Sequence, residues 1–233
     1  MPAIAPASRF LALLCVPAVL ACGAVRAGEV RITHDLPHVE VLHEGKAARI
    51  ERNPDTENLL DPDFSLTSRP CPPYCIQPMR LASGVETLGE LELIDYLRRV
   101  GRDDAVLVID SRDSDWPLRS GVIPGAVLIP WQRLHPAHAS AAEIADLLLL
   151  RFGAARQDGL WNFENARTLV FYCNGPWCGQ SPTNIKQLQA LGYPAHKLKW
   201  YRGGMQDWKM LGLTTVAPAT APDTTTTHAH PAH

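Results

Sequence analysis

The sequence lacks a marked excess of either charge. Its 233 residues carry a formal net charge of −2, so neither nucleic acid nor an anionic membrane surface is an expected partner. No internal repeat is present. No apolar run reaches membrane-spanning length: residues 10–20 are too short for a comfortable span. Cysteine is sparse, at six residues, and the segment around Cys173 contains no lysine or arginine. Proline is abundant instead, at 20 residues. Its concentration in the first third and in the tail predicts irregular structure there.

The N-terminus has the form of a targeting segment. Arg9 precedes the apolar run, and Val25-Arg26-Ala27 supplies small residues for cleavage. A signal peptide over 1–27 and a periplasmic mature chain from Gly28 are expected. A second reading is a lipoprotein signal, in which Val19-Leu20-Ala21-Cys22 is the lipobox and Cys22 becomes a lipid tether. Residues 1–27 contain Arg9, Arg26 and no acid, so their removal moves the formal charge from −2 to −4. Four cysteines then remain: Cys71, Cys75, Cys173 and Cys178. An even number in an oxidising compartment invites disulfides, and the C-x3-C and C-x4-C spacings let each pair close locally. Four thiols also match a zinc site in number. Export and the prolines between Cys71 and Cys75 argue against that site, so no metal and no cofactor is assigned.

Residues 28–84 read as an extension. Val39-Glu40-Val41-Leu42 and Ala48-Arg49-Ile50-Glu51 flank Glu44-Gly45-Lys46, which predicts a β-hairpin. A proline-rich arm holding Cys71 and Cys75 follows, unable to form regular helix. Residues 85–213 read as the main domain. A helix is expected over 85–99 from the spacing of Leu88, Leu91, Ile94 and Leu97. Continuous apolar runs at 105–110, 125–130 and 168–172 predict buried parallel strands, and 198–201 a last strand. Helices are expected at 141–152, at 182–191 with Ser181 as N-cap, and at 205–211. Alternation of strands and helices implies an α/β fold with a mostly parallel central sheet covered on both faces. Residues 214–233, with His228, His230 and His233, are expected to be a disordered, inert tail.

The segment Phe171-Tyr172-Cys173-Asn174-Gly175-Pro176-Trp177-Cys178-Gly179-Gln180-Ser181-Pro182 carries the chemistry. A cysteine at the carboxyl end of a parallel strand stands where open α/β sheets bind ligands. The loop leads into a helix start, whose amide N–H groups and dipole favour an anion. Such a setting lowers a thiol pKa from ~8.5 to ~3.5–7.5, so Cys173 is read as an accessible thiolate, with a buried strand-end cysteine of no catalytic role as the other reading. Cys178, in the same loop, reads either as a resolving thiol or as the partner in a resting disulfide. Cys71 and Cys75 read either as a staple for the arm or as a second redox pair.

Four segments stand in a defined order: Leu107-Val108-Ile109-Asp110-Ser111-Arg112, then Ser120-Gly121-Val122-Ile123-Pro124-Gly125-Ala126, then the Cys173 loop, then Tyr201-Arg202-Gly203-Gly204-Met205-Gln206-Asp207-Trp208. Together they resemble the rhodanese family. Its signatures are an Asp-x-Arg strand end, a Gly-His-Ile-Pro-Gly-Ala turn, a cysteine after a strand, and a Gly-Gly…Trp near the end. The resemblance spans residues 85–213 and implies a three-layer α/β/α domain. The arm Thr67-Ser68-Arg69-Pro70-Cys71-Pro72-Pro73-Tyr74-Cys75 resembles a segment of an exported bacterial subset of that family.

The resemblance implies sulfur transfer. Cys173 would become a persulfide and pass its outer sulfur to a nucleophile. Asn174, Gly175, Pro176, Trp177, Cys178 and Gly179 would bind the persulfide or the donor's oxyanion. Asp110 and Arg112 would brace the loop. The implied partners are a small sulfur donor or anion and a thiol acceptor, which a protein could supply. This sequence departs from the family at Val122, where histidine is usual, and in a longer loop without a basic residue. Those departures leave the substrate open. Two other readings stand beside it: a thiol–disulfide oxidoreductase using both cysteine pairs, and a non-catalytic binding module.

Overall fold

The computed structural model describes residues 29–218. The expected signal peptide, Cys22 and the tail histidines lie outside the described residues. Strands β1 (His38–His43) and β2 (Lys46–Glu51) form the expected antiparallel hairpin. Its turn residues Glu44 and Gly45 have φ of 53° and 75°, the left-handed pair that matches strand twist in a two-residue turn. A short helix α1 (Pro62–Ser65) follows, and the Cys71–Cys75 arm then leads into the sheet domain.

That domain runs β3 (Glu86–Leu88), α2 (Glu90–Leu97), β4 (Val106–Asp110), α3 (Asp115–Ser120), β5 (Val127–Leu128) and α4 (Ala141–Asp146). Helix α4 continues as a wide turn over Leu147–Arg151. The chain then makes a small hairpin, β6 (Ala155–Gln157) and β7 (Leu160–Asn162), before β8 (Thr168–Tyr172), α5 (Gln180–Ala190), β9 (Leu198–Tyr201) and α6 (Gly204–Met210). The central sheet has the order β3-β9-β8-β4-β5, and every neighbouring pair is parallel.

Alternating side chains of the strands fill two cores, one on each face. Leu107, Ile109, Leu169, Phe171 and Trp200 face a core closed by Ile144, Leu148, Phe152, Ile185 and Leu188 from α4, its wide turn and α5. Val106, Val108, Val170, Tyr172 and Tyr201 face the other, closed by Leu93, Ile94 and Leu97 of α2 and by Met205 and Trp208 of α6. This is the three-layer α/β/α arrangement expected from the sequence.

Val39, Val41 and Ile50 of the first hairpin, with Phe64 of α1, belong to this second core. The hairpin therefore completes a helical layer. Backbone bonds fix it there: Asn53 N–H donates to the Gly212 carbonyl at 2.7 Å and Thr214 N–H to that of Glu51 at 3.0 Å. Val216 pairs with Val122 in an isolated antiparallel bridge. Residues 214–216, expected as part of a disordered tail, are instead held against the domain, because they satisfy backbone groups of β2 and of the turn before β5.

Other differences have local causes. The helix expected from residue 85 is a strand and a helix. Gly89 separates them, and the Glu92 carboxylate accepts from Gly89 N–H at 3.1 Å. Leu88 fits the helical spacing by coincidence. Helix α5 starts at Gln180 with Gly179 as its N-cap, and Ser181 makes no cap bond. Pro182 still lies in the first turn, where its missing N–H costs nothing.

Ile50→Ala should lower the stability of the whole domain by about 2–5 kcal/mol, read as a shifted midpoint of a single urea transition. An independently folded hairpin would leave the main transition unmoved.

Candidate active site

Strands β4 and β8 are neighbours at the sheet centre, and the chain leaves them in opposite directions, toward β5 and β9. The crevice beyond their carboxyl ends is the ligand position of such sheets. Asp110 stands opposite Tyr172 in register, so Ser111 and Cys173 emerge side by side. Ser111 N–H donates to the Tyr172 carbonyl at 2.9 Å. The start of α6 holds the loop from the other side. Met205 N–H and Gln206 N–H donate to the Cys173 and Asn174 carbonyls, each at 2.9 Å. Gly204 is required there. Its φ is +58°, and a Cβ would stand 2.4 Å from the Cys173 carbonyl oxygen.

Burial alone would raise the Cys173 thiol, since it disfavours the charged form. Hydrogen bonds from the Cys178 thiol, from Ser181 N–H and hydroxyl, and from Asn174 N–H outweigh that effect and hold Cys173 below the ordinary thiol range. Asn184 Nδ2 donates to Ser111 Oγ at 3.3 Å, and the Ser111 and Ser181 hydroxyls are hydrogen-bonded at 3.1 Å. Ser111 Oγ thus accepts from both Asn184 and Ser181, which ties the start of α5 to the end of β4 beside the sulfur. One contact favours the thiol form instead: Cys173 Sγ donates to the Cys178 carbonyl at 3.4 Å. Cys178 is pushed well up, first by burial, then by donating to Cys173 and by repulsion from its charge.

Asp110 and Arg112 are fully buried and paired. Arg112 Nε donates to Asp110 Oδ1 and Oδ2 at 2.9 and 3.0 Å, and Nη2 donates to Oδ2 at 2.6 Å. Its remaining donors reach Ser120 Oγ at 2.8 Å and the Gly121 carbonyl at 2.7 Å. Tyr172 O–H donates to Asp110 Oδ2 at 3.0 Å. Burial works against the Arg112 charge, but Asp110 first, then Tyr172 and Cys173, outweigh it. Its positive charge is therefore felt at the sulfur.

Cys173 is only 2% exposed. The sequence led to an accessible thiolate; the structure surrounds the sulfur with donors but covers it with the loop. A cleft of about 350 Å³ lies above. Its wall includes Asn174, Trp177, Cys178 and Gly179 of the loop, but not Cys173. Gly175 and Pro176 lie off that wall: Pro176 meets the arm, and Gly175 packs against Gln206. The rest of the lining is Asp113, Trp116 and Trp131, with Gln180 and Thr183 of α5 and with Pro73 and Tyr74 of the arm. Asp113 accepts from Trp131 Nε1 at 3.0 Å, from Gln180 Nε2 at 2.7 Å and from Gln132 Nε2.

The arm closes over the loop. Gln77 N–H donates to the Pro176 carbonyl at 2.8 Å, and Arg202 Nε and Nη2 donate to the Gln77 carbonyl at 3.2 and 3.0 Å. The Tyr74 ring meets Trp177 edge-on at 5.5 Å, and the Arg69 guanidinium lies 3.9 Å over Trp177. Cys71 and Cys75 are joined sulfur to sulfur, whereas Cys173 and Cys178 are free. Val122 is buried on the turn bound by Arg112, away from the cleft wall.

Residues the sequence did not single out are Ser111, Asp113, Trp116 and Gln180. Ser181 was expected as a helix cap. The available signal was position: Ser111 and Asp113 flank Arg112 at a strand end that faces the cysteine loop.

Residues 93–211, just over half of the chain, match the family model described as the rhodanese-like domain. No curated protein matches. Among solved structures, a Rhodopseudomonas palustris protein, described as of unknown function and a possible tyrosine phosphatase, is 24% identical, with 58% of this chain and 88% of that one covered and a TM-score of 0.42. The human single-domain sulfurtransferase is 20% identical over 55% of this chain and 97% of that one, with a TM-score of 0.34. A rhodanese-like domain from Anabaena is 18% identical over 65% and 97%, with a TM-score of 0.35.

Asp110→Asn should cost about 3–5 kcal/mol, because it leaves Arg112 buried without its counter-charge. Chemical unfolding measures it, and a change within error would show that the pair is not needed.

Proposed function

We propose that this chain, which belongs to the rhodanese-like domain family, is a sulfurtransferase that carries sulfane sulfur on Cys173. The observation that supports the reading is the set of donors around Cys173 Sγ, which favours thiolate despite burial. With thiosulfate as donor, the thiolate attacks the outer sulfur. The S–S bond breaks, sulfite leaves with the electron pair, and Cys173 becomes a persulfide anion. An acceptor thiolate then attacks the outer sulfur and returns Cys173 to thiolate. The Asn174 and Ser181 amides that hold the first anion are placed to hold the second. Because the sulfur lies beneath the loop, the loop must lift for either partner to reach it.

The cleft bears on the acceptor. Its wall carries four aromatic rings and the Asp113 carboxylate, with no lysine or arginine. That lining suits an organic thiol better than an inorganic dianion. Export to the periplasm fits the pattern of Arg9, the apolar run and Ala27, with lipidation at Cys22 as the tethered form. In that compartment the Cys71–Cys75 pair is a lasting disulfide, and the arm marks the exported subset of the family.

Alkylation of Cys173 by iodoacetamide should rise at a lower pH than for a free thiol, whose pKa is ~8.5. Ser181→Ala should move that midpoint upward, since a donor to the thiolate is lost. Cys173→Ser should abolish both cyanolysable sulfur and sulfur transfer from thiosulfate to a thiol. A Cys173 inert to iodoacetamide at all pH values would instead favour the non-catalytic binding module, a reading that its 2% exposure supports.

A further inference from the structure

We propose that Cys178 resolves the Cys173 persulfide, forming a Cys173–Cys178 disulfide and releasing hydrosulfide, so that the protein liberates sulfide at the expense of an external dithiol. This inference rests on the sulfurtransferase reading of Cys173.

Both thiols are free and belong to one loop, whereas Cys71 and Cys75 are already paired with each other. The loop folds back on itself. Cys178 N–H donates to the Gly175 carbonyl at 2.9 Å, and Cys173 Sγ comes within 3.4 Å of the Cys178 carbonyl oxygen. The turn thus brings the Cys173 sulfur against the Cys178 main chain, with the Cys178 thiol among its hydrogen-bond partners. Both are buried, at 2% and 5% exposure, but Cys178 is among the residues that line the cleft and Cys173 is not. A sulfur atom added to Cys173 therefore extends from a thiol that has Cys178 among its hydrogen-bond partners.

The chemistry needs a proton at that place. Cys178 Sγ attacks the inner sulfur of Cys173–S–S⁻, the Cys173–Cys178 bond forms, and the bond to the outer sulfur breaks. That outer sulfur leaves with the electron pair and takes the Cys178 proton, so the product is HS⁻. The sulfane sulfur gains two electrons, and the two cysteine sulfurs lose one each. A proton donor is essential because bare sulfide dianion is a very poor leaving group. Cys178 is suited to supply it: its pKa is raised, and its thiol is hydrogen-bonded to Cys173. The Cys178 thiol also reaches Gln180 Oε1 at 3.5 Å, and Gln180 Nε2 is held by Asp113. Those contacts fix the loop segment carrying the attacking sulfur.

The disulfide ends the cycle, and a dithiol must reduce it before Cys173 can accept sulfur again. Cys178 is one of the residues lining the cleft, so a dithiol entering it approaches that half of the disulfide.

The test uses the full chain, reduced, freed of reductant and given one equivalent of thiosulfate. Peptide mapping after acid quench and alkylation reads each cysteine. The wild-type chain should release one hydrosulfide without added thiol, and its Cys173–Cys178 peptide should become lighter by about 2 Da. Cys178→Ser and Cys178→Ala should hold a Cys173 heavier by about 32 Da. In both, hydrosulfide release should fall at least about tenfold. Wild-type protein that keeps its persulfide while Cys178 stays alkylatable overturns the proposal. So does a disulfide formed only at Cys71–Cys75, or unchanged release from both variants. If neither a persulfide in the variants nor a disulfide in the wild type appears, the sulfurtransferase reading fails, and this inference with it.

Discussion

A carboxylate and a guanidinium without solvent are costly to bury, by several kcal/mol per ion even after relaxation. Asp110 and Arg112 bear that cost in the centre of this fold, and the rest of the site follows from how it is offset. Each ion needs hydrogen-bond partners beyond the other, and those partners come from separate stretches of chain. Ser120 and Gly121 bring the end of α3, Tyr172 brings the last residue of β8, and Ile123 N–H completes the Tyr172 hydroxyl at 3.2 Å. Tyr172 precedes the reactive cysteine. The ion pair therefore sets the height at which Cys173 leaves the sheet, without touching its sulfur.

The architecture was legible because the central strands are buried on both faces. Runs such as Val106–Asp110 and Thr168–Tyr172 have no polar alternation to confuse with helix. Glu44-Gly45 marked the first hairpin for an equally local reason, its demand for left-handed backbone. The edge strand β3 was not legible: three residues are too few to show a period, and Leu88 shares the spacing of α2. The site was legible in its nucleophile and in the Asp-x-Arg motif, which chain order exposes. Its surroundings were not. Whether Ser181 caps a helix or serves a sulfur depends on where Ser111 stands, and no local pattern reports that. The burial of Cys173 depends likewise on the loop's fold and on an arm about a hundred residues away.

The arm changes the electrostatics of the site as well as its shape. The loop itself carries no cation, and amide dipoles were the expected source of positive potential. Arg112 adds a buried charge from below, and Arg69 stacks on the loop from outside. Asp113 contributes the opposite sign to the lining of the cleft. It is held by three neutral donors and, among the described residues, by no ion pair.

The stitching of Asn53 and Glu51 to Gly212 and Thr214 has a consequence for how the protein is made. The first strands to leave the ribosome are those whose burial waits longest. The hairpin needs α6 and the last described residues, and β3, the first strand of the sheet, pairs with β9, the last. Such non-local closure delays folding, and little of the core can form on a partial chain.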